Sequence, residues 1–473
     1  MVGRKKEIER LNEAFESRES EFVAVYGRRR IGKTYLVRQT FDGRFAFQHT
    51  GIAKGTTKEQ LREFAESLEN FGLKECPTPG DWFEAFRLLK KLLSKAPAGK
   101  KVVFIDEMPY LDTKASRFVP ALEHFWNGWA SARTDILLVV CGSATSWVIS
   151  KVIRNKGGLH NRVTVKIPLK PFTLAECEMY ARSRGVLLTR YQLAELYMAL
   201  GGVPYYWKYV EPDYSVAQNL DSMFFARDDK LEHEYEDLFA SLFRQAEPYM
   251  RIVEALGRIK AGMTRDQLSK SSGLTACGNF SRHLKELEQC GFIRKYSALG
   301  CKNKGSLYQL IDNFTLFYFR IIAADKVNDR HFWSSSQGSG FVNEWRGTAF
   351  ERLCMLHVDQ LKAALGIAGV VCNVYSWQCP KTDDHPGVQI DMLLDRKDGI
   401  INLCEMKFSE AEYSLDETEM AKLRTRRSVF KCETETRKAI HETMITSYGL
   451  KKNAYRHEIQ SELTLDDLFA PGA

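Results

Sequence analysis

The sequence contains no run of about 18 apolar residues and no charged-then-apolar leader at its start, so neither a helical membrane span nor secretion is expected. Its eleven cysteines include no C-x-x-C pair. Reduced, buried thiols are expected, with neither a disulfide framework nor a zinc site, and the cytoplasm is the expected compartment. The scattered histidines form no Ser-His-Asp or His-x-x-x-His arrangement, and there is no internal repeat, which removes triad hydrolases, helix-borne zinc peptidases and solenoids. Neither sign of charge dominates: 68 Lys and Arg stand against 60 Asp and Glu, for a net charge of +8.

The 473 residues, 44% of them hydrophobic, are enough for two to four globular domains. Up to about residue 170, short apolar runs alternate with helical periodicity. Phe22–Tyr26, Phe45–Thr50, Val102–Ile105, Ile136–Cys141 and Val163–Ile167 read as buried strands of a parallel sheet, with helices such as Thr57–Phe71 and Trp82–Leu93 between them. Residues 171–247 are helical in pattern, with candidates Leu174–Arg184 and Arg190–Leu200. Residues 248–312 read as three helices and two strands, Gly291–Tyr296 and Ser306–Leu310, the pattern of a winged helix. Within them Thr264-Arg265-Asp266-Gln267 is a capping box, and Thr275 is the expected cap of a helix running to Gln289. Between Arg251 and Leu310 eleven basic residues face four acidic ones, a local excess of seven that suits a polyanionic partner. Residues 313–340 form a connector with an apolar stretch, Asp312–Asp325, and a Ser/Gly-rich stretch, Ser334–Gly340. A last α/β domain, 341–473, opens on a helix expected over Phe341–Leu365.

Two chemical centres emerge. Gly27-Arg28-Arg29-Arg30-Ile31-Gly32-Lys33-Thr34 fits G-x-x-x-x-G-K-[ST] between a buried strand and a helix. Backbone N–H groups of such a loop and the helix N-terminus cradle phosphates. Lys33 is placed to reach the β and γ phosphates of ATP, and Thr34 to ligate Mg2+. Val102–Ile105 then delivers Asp106 to the metal and Glu107 to the attacking water as general base. Ser143, just past the strand Ile136–Cys141, faces the γ-phosphate side. Arg162 is a candidate arginine finger, acting within the chain or on a neighbouring subunit.

The second centre is near the other end. Val388–Asp395 and Ile400–Lys407 read as strands of a hairpin turning at Lys397-Asp398-Gly399. With Arg396 opposite Ile400, Asp391 falls opposite Glu405, while Glu405 and Lys407 share a face. Asp391, Glu405 and Lys407 are expected to cluster, with Glu351 on the preceding helix as a further carboxylate. Carboxylates holding Mg2+ beside a lysine are what metal-dependent phosphodiester cleavage requires. On the helix Ala276–Gln289, Asn279, Arg282, His283 and Lys285 form a polar and basic set suited to DNA. Arg424, Arg426 and Arg427 are candidates to touch a nucleic-acid backbone, with a solvated basic run as the favoured reading.

The opening Val2-Gly3-Arg4-Lys5-Lys6-Glu7-Ile8-Glu9-Arg10-Leu11 resembles the start of archaeal-type ATPases, a prokaryotic group related to AAA+ and STAND ATPases. The phosphate loop, Ile105-Asp106-Glu107, Gly142-Ser143, the Arg162 region and Gly201-Gly202-Val203-Pro204 follow in the same order, over roughly residues 1–320. The motif from Glu351 through Asp391 to Glu405-Met406-Lys407 resembles the PD-(D/E)xK nuclease superfamily, with Ile390 where a proline is usual. These resemblances imply a P-loop NTPase core, a helical lid, a winged helix and a restriction-endonuclease-like domain. They imply ATP and Mg2+ as cofactors, nucleic acid, with DNA favoured over RNA, as partner, and a homo-oligomer. An ATP-dependent switch with an inactive nuclease fold is the alternative they leave open.

Overall fold

A computed structural model describes residues 2–226, 230–231, 233–243, 245–260, 262–296, 299, 306–323 and 329–470. Lys302 and Lys304 of the basic segment, and Ala324 and Asp325 at the end of the apolar stretch, lie outside the described residues. The chain forms two compact units, Met1–Pro171 and Phe172–Ala473.

The first unit is built on β1 (Glu21–Tyr26), β2 (Phe45–Thr50), β3 (Lys101–Asp106), β4 (Ile136–Gly142) and β5 (Val165–Pro168). All pairings are parallel, in the order β2-β3-β4-β1-β5. Alternate residues feed two cores: Phe22, Ala24, Val103, Ile105, Leu138 and Val140 enter one, and Val23, Val25, Val102, Phe104, Leu137 and Val139 the other. This explains why these strands read as unbroken apolar runs rather than as alternation. The helices Thr57–Asn70, opened by a Thr56/Glu59 capping box, and Trp82–Lys95, capped by Asp81, bury Leu61, Phe64, Trp82, Phe86 and Leu89 in the first core. The fifth strand begins two residues later than expected, because Thr164 hydrogen-bonds Phe22 from just outside it.

The second unit begins with helices that capping boxes start at Thr173, Thr189 and Ser215. Three helices follow, Glu247–Gly257, Arg265–Ser272 and Gly278–Gln289, with an antiparallel sheet of β6 (Met263–Thr264), β7 (Ile293–Tyr296) and β8 (Leu307–Leu310) in the order β6-β8-β7. The sequence reading missed the two-residue β6. It also placed the third helix start too early: the N-cap is Cys277, not Thr275.

The chain ends in a mixed sheet, ordered β13-β12-β11-β10-β9, of β9 (Cys372–Cys379), β10 (Val388–Arg396), β11 (Ile400–Lys407), β12 (Ala439–Thr446) and β13 (Ser461–Thr464). β9, β10 and β11 form an antiparallel meander. The helix Glu417–Thr434 crosses over from β11 to β12, which pairs with it in parallel. The helix expected over Phe341–Leu365 is two helices, Gly340–Leu356 and Val358–Ala364. His357 separates them. Its buried ring lies 2.9 Å from the Leu353 carbonyl through Nδ1, and Nε2 accepts the Leu174 amide at 3.1 Å. Burial pushes its pKa down to about 4, which suits a neutral ring donating through Nδ1.

Candidate nucleotide and metal sites

Residues 27–34 wrap the C-terminal end of β1. A Cβ at Gly27 would lie 2.2 Å from the Leu169 carbonyl oxygen, so only glycine lets β1 and the segment after β5 close here. Gly32 caps the helix Lys33–Thr40 at φ 88°, a left-handed conformation that glycine adopts without a steric penalty. Lys33 is buried, and its ammonium donates to the Arg28 carbonyl at 2.7 Å. Arg4, from the opening motif, is buried as well and donates to the Ile31 carbonyl at 3.3 Å, holding the loop from its outer side.

The strand ends bring the remaining groups in. Thr34 donates its hydroxyl to Asp106 Oδ2 at 2.7 Å, and Asp106 Oδ1 accepts the Glu107 amide at 2.9 Å. Glu107 has φ 45°, a strained conformation for a residue with a Cβ. Its carboxylate accepts the Ser143 hydroxyl at 2.8 Å and the Ser143 amide at 3.2 Å. Ser143, expected from sequence to contact the γ-phosphate or the attacking water, holds the Glu107 carboxylate here. Arg28, Arg29, Arg30 and Ile31 lie within the loop.

Arg162 does not join this group. Thr164 pairs with Phe22 at the start of β1, while the loop follows Tyr26 at its end. At about 3.3 Å per residue these ends are about 13 Å apart. Arg162 is exposed and precedes the end of β5 that pairs with the start of β1, away from the phosphate loop at the other end of β1.

In the second unit the hairpin register is the expected one: Met392 pairs with Cys404 and Asp395 with Ile401. The side chains nevertheless form two groups. In the first, Lys260, from the turn before β6, bonds Glu351 Oε1 at 2.8 Å and lies 3.8 Å from Asp391. In the second, Lys407 lies 3.1 Å from Glu405 and 3.5 Å from Glu419, while Arg426 bonds both Glu405 and, at 2.8 Å, Glu442. Among the described residues, three of these carboxylates do not bring ligand oxygens within 4.8 Å of one another.

The expected cluster of Asp391 with Glu405 and Lys407 is thus divided, and a bulge is the reason. The pairing of β10 with β9 shifts between Ile390 and Leu393. Ile390 and Leu393 then share one core with Ile401 and Leu403, while Met392 and Leu394 enter the other. The extra residue turns Asp391 toward the Gly340–Leu356 helix, and Glu405 remains on the side of the helix Glu417–Thr434.

Burial raises the Glu351 carboxyl to about 7, with Asp391 adding to it and Lys260 opposing. Its Oε2 is buried with no partner. Burial also pushes Glu405 up, but Arg426 and Lys407 outweigh it and leave the carboxyl below its usual value. Lys260 and the bridging role of Arg426 had no signal in the sequence. Arg426 stood in a basic run read as solvated, yet it is buried, while its neighbour Arg424 pairs with Glu458.

On the helix Gly278–Gln289, Asn279, Arg282 and Lys285 are exposed, while Phe280, Leu284 and Leu287 are buried. His283 leaves the polar set: its ring packs on Tyr249 at 4.5 Å, and burial lowers its pKa. No helix among the described residues is long and apolar enough to cross a membrane.

Residues 1–210 match the family model of an ATPase domain predominantly from Archaea. The chain is 25% identical over 403 residues to the uncharacterized protein MJECL04 of Methanocaldococcus jannaschii, covering 83% of each chain. Among solved structures, the Walker-type ATPase PABY2304 of Pyrococcus abyssi is similar at 18% identity and a TM-score of 0.49, over 68% of this chain and 96% of that one. The Aeropyrum pernix ORC2 protein in its ADPNP–ADP complexes is similar at 13% identity and a TM-score of 0.44, over 71% and 96%. The stretch that matches the family model takes in the whole of the first unit, Met1–Pro171.

Proposed function

We propose that this chain binds and hydrolyses ATP in its first unit, binds nucleic acid through a winged helix, and cleaves it at a metal-dependent site in its C-terminal domain. The observation that carries the ATPase half is the joined set Thr34–Asp106 and Glu107–Ser143 at the mouth of the phosphate loop. ATP phosphates take over the Lys33 ammonium from the Arg28 carbonyl. Glu107, held by Ser143, accepts a proton from the attacking water. Thr34 and Asp106 offer hard oxygen donors to Mg2+. Arg162 acts on the nucleotide of a neighbouring subunit, which makes hydrolysis dependent on assembly.

The domain boundaries that go with this proposal are 171–247 for a helical lid, 248–312 for the winged helix, 313–340 for a connector and 341–473 for the nuclease-like domain. At the downstream site Glu351, Asp391 and Glu405 hold the divalent cation. The orphaned Glu351 Oε2 supports this fit, since a buried carboxylate oxygen without a donor calls for a cation. At both sites bound magnesium offsets phosphate charge and lowers the pKa of water. Lys260 now stands between Glu351 and Asp391; with a divalent cation bound, these carboxylates would hold the metal in its place, and Lys407 beside Glu405 would orient the scissile phosphate.

A second reading, an ATP-dependent switch with an inactive nuclease fold, is favoured by one observation: Lys260 and Arg426 already neutralise the acids, and the bulge separates Asp391 from Glu405. Cleavage assays on DNA and RNA with Mg2+ and Mn2+, with and without ATP, decide between them. Cleavage by wild type, lost in Glu405→Ala and Lys407→Ala, supports the nuclease. Inert wild type and inert Lys260→Ala refute it. ATP binding by Lys33→Ala at wild-type affinity refutes the ATPase assignment.

A further inference from the structure

Away from both centres, three side chains with metal-binding atoms converge where the loop between β9 and β10 meets the end of the helix Glu417–Thr434. Cys379 is the last residue of β9, His385 lies in the loop, and Glu433 is on the last turn of the helix. His385 Nε2 is 3.9 Å from Cys379 Sγ and 3.2 Å from Glu433 Oε1, and the three ligand atoms all lie within 4.8 Å of one another. Metal–ligand bonds of about 2.0–2.3 Å at tetrahedral angles put ligand atoms roughly 3.3–3.7 Å apart. His385 Nε2 stands close to those separations from both Cys379 Sγ and Glu433 Oε1.

The surroundings prepare the ring. His385 Nδ1 lies 3.0 Å from the Pro386 carbonyl, so with the proton on Nδ1 a neutral ring presents its Nε2 lone pair toward Cys379 and Glu433. The loop is fixed by a turn in which Thr382 N donates to the His385 carbonyl at 3.1 Å and His385 N donates to Thr382 Oγ1 at 3.3 Å. A lone pair, a sulfur and a carboxylate facing one another repel unless a proton or a cation lies between them. Glu433 also stands at the negative end of a helix, where an acid is unfavourable and a cation favourable. The Cys379 thiol is pushed up by burial and by Glu433, so a bound metal has to displace its proton. The borderline-soft set of S, N and O suits zinc better than magnesium, whose ligands are oxygens.

We propose that Cys379, His385 and Glu433 form a zinc site, completed by a water, that pins the β9–β10 loop to the end of the helix Glu417–Thr434. The ligands come from three elements, which is why no spacing motif announced them. The site is independent of the phosphodiester chemistry proposed above.

The test is cobalt and zinc titration of the demetallated full chain in excess Mg2+, which keeps carboxylate-only sites filled. The expected result is one equivalent of Co2+ with tetrahedral d–d bands and a thiolate-to-cobalt charge-transfer band, displaced by Zn2+. Cys379→Ser should remove the charge-transfer band. His385→Gln and Glu433→Gln should weaken zinc binding by roughly tenfold to a hundredfold or more. Circular dichroism identifies any variant that fails to fold; Glu433→Gln, at a half-exposed helix end, is the mildest change. Wild type that gives no charge-transfer band overturns the proposal. So does a band that persists in Cys379→Ser, or zinc affinity unchanged in both folded His385→Gln and Glu433→Gln.

Discussion

Replacing Glu351 with glutamine removes a charge that the fold tolerates poorly, and the pH dependence of stability reads it. The carboxyl is raised from 4.5 to about 7 by burial and by Asp391, despite Lys260. Between those values the folded state holds more protons than the unfolded chain, so stability falls as pH rises. The contribution is fully present below about 4.5 and is lost as pH rises through about 7. From pH 5 to pH 8.5 the wild type should lose about 2–3 kcal/mol through this one group, at 1.36 kcal/mol per pH unit. Glu351→Gln has no such loss. Urea unfolding of both proteins in a chelator, at both pH values, gives the double difference. With a slope of about 2–3 kcal/mol per molar urea it appears as a midpoint gain of about 1 M for the variant at pH 8.5 relative to pH 5. Shape changes common to both pH values cancel. Manganese at 100 times its Kd should return about 2.7 kcal/mol to the wild type at pH 8.5 and nothing to the variant. A double difference near zero would refute the buried, strained carboxylate. A variant stabilised by manganese as strongly as wild type would refute its place among the metal ligands.

Ser143→Ala leaves Glu107 without its side-chain donor, so ATP turnover should fall by roughly tenfold, the worth of a charge-assisted hydrogen bond, with little change in nucleotide affinity. An unchanged kcat, or a loss confined to KM, would remove the positioning role. Arg282→Glu with Lys285→Glu, both on the exposed face of the helix Gly278–Gln289, should weaken DNA retention and lower the salt-dependence slope by about 2. Binding with an unchanged slope would assign that helix to packing alone.

The parallel sheet and the phosphate loop were legible because their signals are local. A buried run, a glycine loop and a helix start occupy neighbouring residues, and each has a physical reason to be where it is. The register of β10 and β11 was legible for the same reason, since the three-residue turn sets it. The bulge was not. Whether Asp391 turns with or away from Glu405 depends on β9, whose nearest residue in sequence, Cys379, is twelve positions earlier. Arg426 looked like one arginine of a solvated run, and only the crossover from β11 to β12 encloses it between Glu405 and Glu442.

His357 shows the same limit within a helix. Nothing between Phe341 and Leu365 breaks helical periodicity, yet the helix ends at Leu356, just before His357, whose buried ring accepts the amide of Leu174, 183 residues earlier. The sequence by itself determined the strands of the first sheet, the phosphate-loop chemistry and the acids available near the end of the chain. Tertiary structure decided which of those acids meet, which lysine or arginine pairs with them, and at which end of the strands Arg162 stands. Those outcomes depend on distances between segments far apart in the chain, and local periodicity carries no information about them.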